Sequence, residues 1–72
     1  MKFEQALAYA KAGEYIAREA FRDTCYVGVQ YPDAHSVNTE PYLYMQKGEK
    51  RFPVDLSCES IFAEDWHVVR KD

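Results

Sequence analysis

The first residues of the chain carry apolar side chains at the spacing of a helix. The apolar positions follow the pattern i, i+3, i+4, i+7, which puts them on one helical face. They are Phe3, Ala6, Leu7 and Ala10. Lys11 follows in the last turn, where a cation favours the helix dipole, and Gly13 suits a left-handed helix end. We predict an amphipathic helix over residues 3–12.

Beyond this helix the apolar positions alternate with a period of two, which is typical of strands. We predict strands over residues 14–21, 25–31, 41–46, 51–56 and 65–70, with a loop over 32–40 and a hairpin turn over 47–50. Gly28 inside the second strand indicates a close backbone approach or a bulge. Pro53 cannot donate to a sheet ladder, so it places the fourth strand at an edge.

Ser57 is a good N-cap for a short helix that runs through residues 61–63. Together the elements predict an α+β fold, in which an N-terminal helix packs on a strongly antiparallel sheet and a short second helix precedes the last strand. A chain of 72 residues buries too little surface for more than one core, so we expect a single domain over 1–72.

Composition narrows the classes of function. The net charge is −3 and the basic residues are scattered, so binding to DNA or RNA is disfavoured. A small anionic ligand is still compatible, because one arginine or one helix N-terminus can hold a phosphate. The chain has no apolar run long enough for a membrane span and no secretory signal pattern, so we expect a cytoplasmic protein that does not bind membranes.

Metal binding and catalysis are both disfavoured. A zinc site would need Cys25, His35, Cys58 and His67, yet no two of them stand at ligand-hairpin spacing. We expect the cysteines to be free, buried thiols that pack as small hydrophobes. The chain has no Gly-rich phosphate loop and no nucleophile elbow. We therefore predict a protein that is not an enzyme and carries no metal or cofactor.

Several side chains have both a structural and a binding interpretation. Arg18 lies in an apolar strand, where it either forms an ion pair with Glu64, Asp65 or a neighbouring chain, or grips a phosphate. Ser57 either caps a helix or helps to bind an anion. Tyr42 and Tyr44 share a strand face, which forms either a subunit interface or a stacking surface for a planar base. Four other large aromatics are expected in the core or in a subunit interface: Phe3, Phe52, Phe62 and Trp66.

The order of these motifs resembles a small phage and prophage family, the Thoeris anti-defence type 2 proteins. The resemblance spans nearly the whole chain. Its most specific parts are the block Ala17-Arg18-Glu19 and the ending Ala63-Glu64-Asp65-Trp66-x-Val68-Val69.

The resemblance implies a non-enzymatic sponge that acts in the host cytoplasm. Members of the family bind the cyclic ADP-ribose-type signal of Thoeris defence without cleaving it, and some hold cyclic oligonucleotides of CBASS systems. They form homo-oligomers, tetramers in known cases, with ligand pockets between subunits. The alternative is a protein-binding inhibitor of a host defence nuclease, of the anti-CRISPR type.

The resemblance also implies a set of binding residues. Phe21 stands where the family has a tryptophan and would stack on the base, while Arg18 would hold phosphate or orient the pocket. Ser57 and Ser60 would hydrogen-bond the sugar–phosphate part, and Ser60 and Cys58 replace the amide and acidic residues common in the family. Tyr42 completes the predicted ligand-binding set.

Overall fold

The computed structural model describes residues 1–32 and 40–70, and its elements follow the predicted order. They are α1 (Phe3–Lys11), β1 (Tyr15–Arg18), a 3-10 turn (Glu19–Phe21), β2 (Tyr26–Gln30), β3 (Tyr42–Lys47), β4 (Lys50–Pro53), α2 (Cys58–Phe62) and β5 (Trp66–Val69). An N-terminal helix, a five-stranded antiparallel sheet and a short second helix before the last strand confirm the α+β prediction.

The last strand returns to lie beside the first. The sheet order is β4-β3-β2-β1-β5, so β1 has β2 on one side and β5 on the other. In the β1–β5 ladder Arg18 lies opposite Trp66, and Tyr15 lies opposite Val69. Pro53 lies in β4 at the other end of the sheet, which confirms the predicted edge position.

Helix α1 covers one face of the sheet and forms the core there. The buried residues of this core are Ala6, Ala10, Ile16, Val27 and Trp66. Alanines on the buried stripe of α1 let the helix backbone approach the sheet closely, while the larger Phe3 and Leu7 on the same predicted stripe are half-buried at its margin. The strand alternation places Ile16, Val27 and Trp66 on this same face.

Two predicted strands end earlier than expected. The first stops at Arg18 rather than at residue 21, because Arg22 N–H closes a 3-10 turn on the Glu19 carbonyl and Arg22 itself adopts the left-handed conformation, with φ 53°. The fourth stops at Pro53 rather than at residue 56, and the chain leaves the sheet so that Leu56 packs against the core. The predicted loop over 32–40 lies almost wholly outside the described residues.

The expectation of buried thiols was wrong for Cys58, which is exposed on α2, and Cys25 is only half-buried. Both cysteines are free, as predicted. Two aromatics expected in the core or an interface are not in the core of this chain, because Phe52 is 41% and Phe62 82% exposed. Phe3 and Trp66 do pack together, with ring centroids 5.2 Å apart.

The sheet face opposite α1 is lined by tyrosines, and no described helix packs on it. Tyr44 is only 5% exposed, and it lies directly opposite Gly28 in the β2–β3 ladder. A Cβ atom at Gly28 would lie 2.7 Å from the Tyr44 hydroxyl oxygen. This confirms the predicted close approach, and it shows that the missing side chain makes room for the Tyr44 ring.

We expect Gly28→Ala to lower the free energy of unfolding by about 1–3 kcal/mol, because the new methyl group overpacks against the Tyr44 ring. In a Tyr44→Leu background the same substitution should cost markedly less, because the ring is gone. Urea denaturation of the four proteins measures both costs. Equal costs in the two backgrounds would contradict this packing account.

Candidate functional site

The end of β1, helix α2 and the start of β5 bring together four of the five predicted binding residues. Pairing of Arg18 with Trp66 places the Arg18 side chain beside Asp65, and the chain just before Asp65 is α2. We call Arg18, Ser57, Ser60 and Asp65 the Arg18 cluster. Phe21 lies next to it on the 3-10 turn, packed against Trp66.

Arg18 is held by two contacts within its own chain. Its Nε donates to Asp65 Oδ1 at 2.8 Å, and its Nη1 donates to Ser60 Oγ at 3.2 Å. The Arg18 side chain is 13% exposed and the Asp65 side chain 31% exposed, so the pair lies at the surface of the core. Of the ion-pair partners considered for Arg18, the structure therefore selects Asp65. The guanidinium carries more N–H donors than these contacts use, so it can still bind an anion.

Ser57 and Ser60 support the Arg18–Asp65 ion pair through hydrogen bonds. The Ser57 hydroxyl caps α2 by accepting from Ser60 N–H at 3.3 Å, and it donates to Ser60 Oγ, also at 3.3 Å. The capping role proposed for Ser57 is thus confirmed. Ser60 is only 8% exposed, and its hydroxyl already accepts from Arg18. The geometry therefore makes Ser60 a residue that positions Arg18.

Trp66 contacts both the Arg18 cluster and Phe21. Its indole Nε1 donates to the Ser60 carbonyl at 2.8 Å, which fixes α2 over the ring. Phe21 meets the same ring edge-on, with centroids 5.9 Å apart and planes at 87°. Phe21 itself is half-buried, so part of its ring is available at the edge of the Arg18 cluster.

Tyr42 lies away from the other four predicted residues. It pairs with Gln30 at the far end of β2, whereas Arg18 lies at the end of β1 nearest the start of β2. One strand, β2, also lies between β3 and β1. Tyr42 lines a separate hollow of about 370 Å³ with Leu7, Lys11, Val29, Tyr31, Pro41 and Leu43. Within one chain, the predicted binding set is therefore split between two places.

The tyrosine face contains members that the sequence reasoning missed. Tyr15 and Tyr26 lie beside Tyr44, with their own ring centroids 4.4 Å apart, and the Arg51 guanidinium lies 4.3 Å from the Tyr44 ring centroid. Burial, followed by a hydrogen bond with Tyr15, raises the pKa of Tyr44. The ring of Tyr44 is thus packed against residues of its own chain and leaves little surface for a ligand. The alternation along each strand predicts which side chains share a face of that strand. Only the order of the strands shows that Tyr15, Tyr26 and Tyr44 lie next to one another.

Two other classes of site can be assessed over the described part of the chain. Residues 1–32 and 40–70 contain no group of three or more His, Cys, Asp or Glu side chains that could hold a metal ion. His35, one of the four zinc ligands considered, lies outside these ranges. Neither α1 nor α2 is long and apolar enough to cross a membrane.

Asp65 should make the stability of the protein depend on pH. The hydrogen bond from Arg18 is the main cause that lowers the pKa of Asp65 below its ordinary value of 3.8. A carboxyl group with a lowered pKa in the folded state stabilises the protein above its unfolded pKa, and this contribution disappears as pH falls through the folded pKa. We expect Asp65→Asn to lower the melting temperature at pH 7, with the difference from wild type vanishing below that folded pKa.

Thermal unfolding between pH 2 and pH 7 measures this profile. Asp55→Asn, which changes an exposed carboxylate outside the cluster, is the matched control and should follow the wild-type profile. A difference between Asp65→Asn and wild type that persists unchanged at the acidic end would contradict a role for the charge of Asp65.

Comparison with known proteins gives an independent assignment. The sequence profile of the Thoeris anti-defense 2-like domain matches residues 1–69 of the 72 residues, a range that includes all five strands and both helices. No curated protein matches the chain significantly. The profile match confirms the resemblance found in the sequence blocks around Arg18 and Trp66. The chain belongs to the Thoeris anti-defense 2-like family.

Proposed function

We propose that this protein is a phage anti-defence protein that binds a cyclic nucleotide second messenger and holds it without cleaving it. The messenger is of the cyclic ADP-ribose type used by Thoeris defence, with CBASS cyclic oligonucleotides as a second class. The observation that carries the proposal is the family match over residues 1–69. The Arg18 cluster supports it with chemistry suited to such a ligand.

The Arg18 cluster supplies a fixed cation, and Phe21, three residues further along the chain, supplies an aromatic ring. Two hydrogen bonds hold the Arg18 guanidinium in place before any ligand arrives, so little side-chain freedom is lost on binding. Its remaining N–H groups suit a phosphate, and the accessible part of Phe21 suits a planar base. Ser57 contributes a hydroxyl at the exposed side of the cluster, while Ser60 keeps Arg18 aligned.

The position of Tyr42 supports a site shared between subunits. Within one chain Tyr42 and Arg18 lie at opposite ends of the sheet, so one ligand reaches both only if they come from different chains. We therefore propose a homo-oligomer, a tetramer in the simplest case, in which Tyr42 of one copy faces the Arg18 cluster of another. Burial between subunits would also enclose the messenger.

Sequestration requires affinity and no turnover. The protein acts in the host cytoplasm, where it must compete with the receptor that the messenger activates. A dissociation constant near 1 nM corresponds to about −12 kcal/mol, which requires that most of the ligand surface be buried. In this proposal the residues of the Arg18 cluster bind the messenger or hold Arg18 in position, and none of them takes part in a reaction.

Capture and heat release test the proposal. The protein is incubated with cyclic ADP-ribose-type signals and cyclic oligonucleotides, filtered, and then denatured by heat. We expect the filtrate to lose messenger and the denatured sample to return it intact. Return of cleaved products would identify an enzyme, and no depletion at all would favour the protein-binding inhibitor; either result overturns the proposal.

Phe21→Leu isolates the stacking contribution. Leucine preserves apolar packing against Trp66 but removes the aromatic face, which is worth about 1–3 kcal/mol per stacked base. We expect the dissociation constant for the captured messenger to rise roughly 10- to 100-fold in isothermal titration. Tyr9→Leu removes an exposed ring on α1 and is the matched control, with unchanged affinity expected. Equal affinity of Phe21→Leu and wild type would remove Phe21 from the site.

A further inference from the structure

The hairpin between β3 and β4 concentrates positive charge in an acidic protein. Residues 46–53 hold three of the nine Lys and Arg residues and one acid, Glu49, which gives a formal charge of +2. The whole chain carries −3, so the other residues together carry −5. Lys47, Lys50 and Arg51 are exposed, and none of them forms an ion pair with another described residue. We call residues 46–53 the basic hairpin.

Two of these cations face each other across the hairpin. Lys47 lies directly opposite Lys50 in the β3–β4 ladder. Side chains at opposing positions have Cβ atoms about 5 Å apart, and like charges there destabilise the strand pair. An anion between the two ammonium groups removes this repulsion. Binding an anion therefore relieves an unfavourable interaction that is present in the free protein.

Arg51 is held in place before any partner binds. Its Nε donates to Gln46 Oε1 at 2.9 Å, and its guanidinium carbon lies 4.3 Å from the centroid of the Tyr44 ring. Gln46 is fixed in turn, because its Nε2 donates to the Gly48 carbonyl at 2.8 Å. A guanidinium has five N–H donors, and these contacts use one of them. The remaining donors suit a carboxylate, which arginine binds through two parallel hydrogen bonds.

An exposed aromatic ring lies among these charges. Phe52 is 41% exposed and follows Arg51 in β4. Because side chains alternate along a strand, Lys50 and Phe52 lie on one face of β4 and Arg51 lies on the other. Lys47, opposite Lys50, shares the face of Phe52. A molecule that crosses the edge of β4 therefore meets two ammonium groups and a ring on one side and a guanidinium on the other.

The edge of β4 does not favour the addition of another strand. Val54 N–H bonds to the Leu43 carbonyl, so alternation along the antiparallel ladder points the backbone groups of Arg51 and Pro53 away from β3. Proline has no N–H to donate, which leaves Arg51 as the only outward backbone donor among residues 50–53. Charged side chains and proline commonly protect sheet edges, but that role does not require a guanidinium fixed by two contacts. The basic hairpin is therefore suited to recognition through side chains.

We propose that the basic hairpin is a docking surface for an acidic segment of another protein, whose carboxylates meet its three cations and whose apolar side chain covers Phe52. Charge complementarity selects this partner. A long nucleic acid strand would extend past the hairpin onto a chain that otherwise carries −5, whereas a short acidic segment ends within the hairpin. The Arg18 cluster lies on β1, with β2 and β3 between it and β4, so docking does not involve the proposed messenger site.

Fluorescence anisotropy of labelled peptides mixed with the full chain tests the proposal. The probe is the hexapeptide Glu-Glu-Phe-Glu-Asp-Glu, and the comparison peptides replace its acids by amides or its phenylalanine by serine. At low ionic strength we expect saturable binding of the probe, weaker binding of the serine peptide and no binding of the amide peptide. Absence of saturable binding, or equal binding of the amide peptide, overturns the proposal. So does tighter binding of a thymidine hexanucleotide, which would identify a nucleic acid surface.

Charge-matched variants locate the contact. Lys47→Gln combined with Lys50→Gln should raise the dissociation constant of the probe roughly 2- to 30-fold, the range expected for two exposed ion pairs. This difference from wild type should shrink as salt is added, since exposed charges are screened. Lys2→Gln combined with Arg70→Gln changes the net charge equally at exposed positions outside the hairpin and should have a much smaller effect. Equal weakening by the two double variants contradicts docking at the hairpin.

Arg51→Lys separates geometry from charge. Lysine keeps the positive charge but lacks the planar fork that binds a carboxylate, so we expect the dissociation constant of the probe to rise roughly 2- to 10-fold, as for the loss of one hydrogen bond. In a nuclear magnetic resonance titration, the amide signals of the basic hairpin should shift with added peptide and those of the Arg18 cluster should not. Unchanged affinity of Arg51→Lys, or shifts confined to the Arg18 cluster, overturns the proposal. Circular dichroism of each variant confirms that the fold is retained.

Discussion

The pairing of β1 with β5 is the constraint on which the rest of the structure depends. It joins the first strand of the sheet to the last and sets Arg18 opposite Trp66. From that register follow the 2.8 Å contact between Arg18 and Asp65 and the position of the Trp66 ring beneath α1. The indole then anchors α2 through the Ser60 carbonyl. The result is a guanidinium held at the surface of the core, with Phe21 packed on the same indole that anchors α2.

Local patterns in the sequence predicted most of the elements, because each depends on neighbours within a few residues. The alanine stripe of α1, the Ser57 cap, the 47–50 turn and the edge position of Pro53 are of this kind. Strand ends were less predictable. The first strand stops at Arg18 because the next three residues form a 3-10 turn that ends at Arg22 in the left-handed conformation, and no glycine or proline marks that turn in the sequence.

The candidate site was predicted only in part, for a related reason. The sequence pattern pointed to Arg18 and Ser60 as site residues. It could not show that Ser60 accepts a hydrogen bond from Arg18, because that contact depends on the order of the strands. Nor could it show that Tyr42 lies at the other end of the sheet. The exposure of Phe62 could not be predicted either, because it depends on which side of α2 packs on the core, and the structure buries Ser60 instead.

In the proposed function, each small chain supplies only part of a binding site. Arg18 and Phe21 come from one chain, where Arg18 is held in place by Asp65 and Ser60, and we propose that Tyr42 comes from a second copy. The most direct test is a nuclear magnetic resonance titration of the protein with the captured messenger. We expect saturable shifts of the Arg18 Nε–H and Phe21 ring signals, with nuclear Overhauser contacts from one ligand to Phe21 and Tyr42. Saturable binding that leaves the Arg18 and Phe21 signals unmoved would contradict it.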